Sequence, residues 1–192
     1  MRRVRWALTM ALLTAPLAGS IASQEPKPAP APKPDAAPKP AAGPVLVVET
    51  AKGTIEIEMY PADAPQTVAQ ITALAKRNFY NGLRVHRVVP DFVVQFGDPL
   101  TRDMTKKGLW GTGGSGRVIG AAETKRTHRL GSVAMAHAGD PAKADSQMYI
   151  LLRSSAAALD GKYAVFGQVI TGMDVVQKIA VGDMITRVTV KP

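Results

Sequence analysis

Cysteine is absent from the chain, which excludes a disulfide framework, a thiolate metal site and a lipidated cysteine anchor. Aromatic residues make up only 5% of its 192 residues, few for a surface that stacks nucleic-acid bases. Positive charge is also thinner than the formal +9 suggests. From residue 45 onward 18 basic and 13 acidic side chains leave +5, a mildly basic domain, and nucleic acid is not an expected partner. Internal repeats, a phosphate-binding lysine motif and any apolar run long enough to span a bilayer comfortably as a helix are missing as well. The three histidines, His86, His128 and His137, show neither ligand spacing nor an accompanying acidic cluster, so no metal is expected. Ser115 lies in a glycine loop without the strand-turn-helix elbow of a serine hydrolase.

What is present divides the chain into three. Residues 1–22 read as a secretory signal peptide, with Arg2, Arg3 and Arg5 ahead of an apolar core from Trp6 to Ala18 and small residues at Ser20 and Ala22 for cleavage. An uncleaved membrane anchor is the rival, weakened by Pro16 and the short core. Residues 23–44 form a Pro/Ala/Lys-rich linker holding eight of the 15 prolines, expected to be disordered and biased towards polyproline II. Its default role is a spacer; the alternative is contact between its lysines and anionic envelope polymers. Export followed by cleavage implies a periplasmic or secreted protein without stable membrane insertion.

Residues 45–192 carry the fold. VLVVET and TIEIEM are strand-like runs joined through Ala51-Lys52-Gly53, and Ile55, Ile57 and Met59 alternate with Glu56 and Glu58. A helix is expected to open at Asp63 as N-cap, with Pro65 and Gln66 in its first turn and a buried stripe of Val68, Ile71, Leu74 and Ala75. Further strands are expected over 132–136, 148–152, 164–170 and 185–190, with a short helix over 173–179. Many short strands and two helices predict an all-β closed barrel with helical caps. Gly111 to Gly116 matches G-x-G-x-x-G, but it neither follows a convincing strand nor opens a helix, and it reads as a flexible loop. Trp110 before it is either a ligand rim or a cover for core surface.

The hairpin VHRVVPDFVVQFGD, Val85 to Asp98, is the stretch the rest of the chain serves: read with period two it gives two strands, 85–89 and 92–96, turning at Pro90-Asp91. Period two puts Val85 with Arg87 on one face, and Phe92, Val94 and Phe96 together against Val93 and Gln95. Arg87 and Gln95 on rigid strands among apolar neighbours suit a polar ligand; a solvated edge hairpin is the plain alternative.

Together with GTGG, MAHAGDPAKADSQMYILL and ALDGKYAVFGQV in this order and at these separations, that hairpin resembles the cyclophilin family of peptidyl-prolyl isomerases over about residues 45–190. The resemblance implies a closed eight-stranded antiparallel barrel capped by two α-helices, with an outer groove for proline-containing polypeptides, no cofactor and a monomeric protein. It makes Arg87 the catalytic arginine, and gives Phe92, Val93, Met148, Tyr149 and Leu159 to the proline pocket. Gln95 would bind substrate and hold Arg87; Ala136, His137 and Gln147 would flank the residue before proline. Tyr163 stands where His is common, Met148 where Phe is, Val93 where Met is, and His137 where Asn is. Ala158 replaces a frequent Trp, which implies weak cyclosporin binding, and the segment between Asp98 and Gly111 is longer than usual. The expected activity is X-Pro isomerisation during folding of exported proteins. A non-catalytic proline-peptide-binding chaperone on the same barrel is the alternative, and a structural protein acting through its Pro-Lys arm a third.

Overall fold

The computed structural model describes residues 43–192, so the expected signal peptide and nearly all of the expected linker lie outside the described residues. Eight antiparallel strands, β1 (Val45–Thr50), β2 (Gly53–Met59), β3 (Arg87–Val89), β4 (Val93–Phe96), β5 (Ser132–Met135), β6 (Met148–Leu151), β7 (Val165–Thr171) and β8 (Ile185–Lys191), form one sheet. Their order is β3-β4-β6-β5-β7-β2-β1-β8. The helices are α1 (Pro65–Lys76) and α2 (Met173–Lys178).

The all-β expectation holds, but the closed barrel does not, because no ladder joins the edge strands β3 and β8. Across the gap lie an isolated bridge, Arg84 to Met184, four backbone hydrogen bonds between residues 82–85 and 182–185, and two through side chains, from Arg84 Nη1 to the Gly182 carbonyl and from the Val188 amide to Asn81 Oδ1. Gly82 (φ 77°) and Gly182 (φ 95°) take the left-handed region at the outer end of this contact, so it is confined to the few residues between each glycine and the strand that follows.

Alternation gives the curled sheet two apolar faces. Its inner face, including Leu46, Ile57, Ile150 and Phe166, closes on α1 and α2 as the main core, each side chain at 0% exposure. Every such burial stabilises the fold by about 1.5–3 kcal/mol. On the outer face Val93, Ala134, Tyr149, Leu151 and Val165 make a second, smaller cluster. The β1–β2 connection is a two-residue turn, Ala51–Lys52, since Gly53 already pairs with Thr50.

Helix α1 buries Val68, Ile71, Leu74 and Ala75 as its periodicity predicts. Asp63 is not its cap. The N-cap residue is Ala64, which has no side-chain acceptor, and the Asp63 carboxylate is taken by Arg126 at 2.5 Å. The orphan amides of Gln66 and Thr67 donate instead to Glu123, each at 2.9 Å, so a buried carboxylate 57 residues distant from Gln66 caps the helix. Glu123→Ala is expected to lower stability by about 1–2 kcal/mol, the range for a lost cap. Chemical denaturation would read the change as a lower midpoint with an unaltered slope.

Candidate active site

The hairpin β3–β4 is short because its lead-in leaves the ladder early. Strand pairing starts only at Arg87↔Gln95, while Val85 donates to the Asp183 carbonyl and accepts from Gly182. Val85 therefore turns into the main core instead of sharing the face of Arg87. A second departure lies at the turn, where Asp91 has φ 55°. That left-handed residue resets the alternation, so Phe92 joins Val93 on the outer cluster and parts from Val94 and Phe96.

Outward-facing side chains of β3, β4, β5 and β6 then meet. A cavity of about 130 Å³ is lined by Arg87, Phe92, Val93, Gln95, Ala136, His137, Tyr149, Leu159 and Tyr163. These are nine of the eleven residues expected from sequence. Gln147 lines the adjoining cavity of about 360 Å³, which shares Gln95, Ala136 and His137 with the smaller one. Met148 is the exception. It pairs with Phe96 and Met135 on the inner face of the sheet and sits at 0% exposure in the main core, because the period-two pleat that sends Tyr149 outward sends its neighbour inward.

The smaller cavity sets the apolar side chains of Phe92, Val93, Ala136 and Leu159 beside polar groups of Gln95, His137 and the two tyrosines, and a guanidinium stands at its rim. Arg87 is exposed and pairs with no carboxylate among the described residues; its Nη1 donates to Gln95 Oε1 at 3.3 Å. Gln95 Nε2 donates in turn to Gln147 Oε1 at 3.0 Å, and Gln147 Nε2 to the carbonyls of Gly111 and Gly113, both at 2.8 Å. The amides of those glycines donate to Asp98 Oδ2 at 2.5 and 3.2 Å, while Asp98 Oδ1 accepts from Leu100 at 2.8 Å. Asp98 has 0% exposure. The arginine is thus the outer end of a polar chain rooted in a buried carboxylate.

The same contacts correct the expectation of a flexible glycine loop. Asp145 holds the amides of Ser115 (2.9 Å) and Gly116 (3.0 Å) and the Ser115 hydroxyl, so residues 111–116 are tied at two points. A Cβ at Gly113 would collide with the Asp98 carboxylate, which explains the glycine there. Trp110 covers the short helical turns of 99–109, its Nε1 donating to the Asp103 carbonyl at 3.3 Å, and lines neither cavity.

The histidines serve separately. Burial pushes the His86 imidazole below its ordinary value, favouring the neutral ring beside Arg87. His137 stacks on Tyr163 with ring centroids 4.4 Å apart, and its Nε2 donates to the Lys162 carbonyl at 2.8 Å. His128, with Asp160, stands behind Tyr149, a placement sequence reading missed; Asp160 follows Leu159 directly, but nothing in the chain order ties it to His128. Among the described residues no three His, Asp or Glu side chains gather as a metal-binding group.

Residues 45–192 match the family model described as cyclophilin type peptidyl-prolyl cis-trans isomerase/CLD. A peptidyl-prolyl cis-trans isomerase of Helicobacter pylori is 39% identical over 145 residues, covering 73% of this chain and 83% of that protein. Peptidyl-prolyl cis-trans isomerase B of Bacillus subtilis is 39% identical over 140 residues, covering 71% and 90%. Among solved structures, a Cryptosporidium parvum cyclophilin type peptidyl-prolyl cis-trans isomerase shares the fold with a TM-score of 0.66 at 23% identity, over 77% of this chain and 97% of that one. That protein has also been crystallised in the presence of the dipeptide Ala-Pro.

Proposed function

Since the chain belongs to the cyclophilin-type peptidyl-prolyl cis-trans isomerase family and is an isomerase enzyme, we propose that its substrates lie along the β3–β6 groove with the proline ring in the smaller cavity and Arg87 at the prolyl nitrogen. Rotation about an X-Pro bond meets a barrier of about 18–20 kcal/mol because the amide must lose conjugation. Midway through the twist the nitrogen becomes pyramidal and regains a lone pair. A guanidinium, always charged and rich in donors, hydrogen-bonds that nitrogen far better than the planar amide, so the interaction favours the transition state over either ground state. The apolar walls grip the ring and keep water from weakening the arginine's field.

The observation that carries this reading is the Arg87 guanidinium, paired with no carboxylate among the described residues and braced by Gln95, at the mouth of the cavity that Phe92, Val93 and Leu159 line. Ala136, His137 and Gln147 would flank the residue before proline, along the larger cavity. The amino-terminal sequence supports export, with proline-limited folding of periplasmic or secreted proteins as the setting. An exchange measurement on an X-Pro peptide tests the activity directly: the enzyme accelerates cis-trans interconversion at substoichiometric amounts, whereas a peptide-binding chaperone would shift peptide signals and leave the interconversion rate unchanged.

A further inference from the structure

We infer that His128 is a positioning residue of the groove: anchored by Asp160, it holds the ring of Tyr149 in place as a wall of the smaller cavity. The inference rests on the reading of that cavity as the proline pocket. His128 Nδ1 lies 2.8 Å from Asp160 Oδ1, which also accepts the His128 backbone amide at 2.7 Å. On the other side of the ring, Nε2 lies 2.7 Å from the Tyr149 hydroxyl. The His128 side chain is wholly buried, and it lines neither cavity.

Proton positions follow from the partners. The hydrogen bonds from His128 hold the Asp160 carboxyl below its ordinary range, so it is an acceptor only and Nδ1 carries the proton. Nε2, on the far side of the ring, faces the Tyr149 hydroxyl, a hydrogen-bond donor. Burial raises the Tyr149 hydroxyl well above its ordinary value, which keeps that donor protonated.

Without the hydrogen bond, little directional would fix this wall. Tyr149 otherwise meets Tyr163 edge-on, at 5.8 Å between centroids and 81° between planes. Aromatic edge contacts are tolerant of small rotations, whereas a hydrogen bond at the far end of a ring sets its direction. A tyrosine here also requires an acceptor, because its buried hydroxyl would otherwise be left unpaired. One short segment supplies both anchors of the wall: Asp160 holds His128, and the Lys162 carbonyl holds His137, which stacks on Tyr163.

The test compares KM and kcat for an Ala-Pro peptide in His128→Leu, Tyr149→Phe, the double variant and Tyr149→Ala, at a temperature where each is folded. A wall that grips the ring equally in ground and transition states predicts KM raised about fivefold in His128→Leu with kcat within about twofold. The double variant removes both polar partners together, so its thermal stability returns towards wild type. Its KM stays raised, because the ring is still untethered. A merely structural role makes KM recover with stability, and that recovery overturns the proposal, as does an unchanged KM in His128→Leu. If the single His128 variant does not fold, the double variant carries the same decision. Failure of the pocket reading looks different: KM is then unchanged even in Tyr149→Ala, whereas a raised KM there with normal His128 variants rejects the positioning role alone.

Discussion

Replacing Arg87 by Ala is expected to reduce kcat/KM on an X-Pro peptide by about 100- to 1,000-fold, the loss typical of removing one donor aimed at transition-state charge. The fold should be unaffected. Arg87 is exposed and donates one hydrogen bond, to Gln95 at 3.3 Å, so stability should change by no more than about 0.5 kcal/mol, as at ordinary surface positions. Arg87→Lys is the more informative companion. A lysine keeps the charge but not the planar fork that contacts Gln95 and the prolyl nitrogen together, so it should recover less than about tenfold of the loss. Full recovery with lysine would mean that charge alone sufficed. The coupled isomerase assay gives the rates, and thermal unfolding of the same samples shows whether the fold is intact.

Asp98→Ala should be the most damaging single polar change to the domain. Its carboxylate accepts from Leu100, Gly111 and Gly113 at 2.5–3.2 Å with no exposure to water that could replace it. Hydrogen bonds to a charged acceptor are worth about 1.5–3 kcal/mol each, and loops relax to recover part of that, so a net loss of about 3–4 kcal/mol is expected. For a domain of this size that corresponds to a fall of roughly 6–16 °C in Tm. Activity should fall too, by about tenfold at temperatures where the variant is folded, because Gln147 loses the fixed carbonyls that align Gln95 and, through it, Arg87. Asp98→Asn keeps one acceptor oxygen and should lose about half as much stability. A stability loss without an activity loss would separate Asp98 from the arginine brace.

Local patterning made much of this structure legible in advance. The Ile55, Ile57, Met59 alternation and the Val68, Ile71, Leu74, Ala75 stripe face the core as their periods require. Most groove residues were reached through family resemblance, and the pleat then corrected it: Met148 and Tyr149 are adjacent, so only one can face outward. What local reading missed depends on contacts between distant segments. Glu123 caps a helix that begins near residue 65, Asp98 and Asp145 pin a loop whose glycines alone suggest freedom, and Asp160 reaches His128 from 32 residues away. Neither a period nor a turn signal encodes such pairings. The barrel seam failed for a related reason, since residues 82–85 and 182–185 meet by a few hydrogen bonds between distant segments and not by a ladder that strand patterning predicts.

The central claim is that Arg87 acts on the twisted imide and hardly at all on the planar one. Titrating one Ala-Pro peptide against wild type and Arg87→Ala, and recording both the dissociation constant and the bound-state exchange rate by NMR, addresses it most directly. The account predicts dissociation constants within about threefold of each other and an exchange rate at least about 100-fold lower in the variant. Equal exchange rates, or a rate loss fully matched by weaker binding, would contradict it.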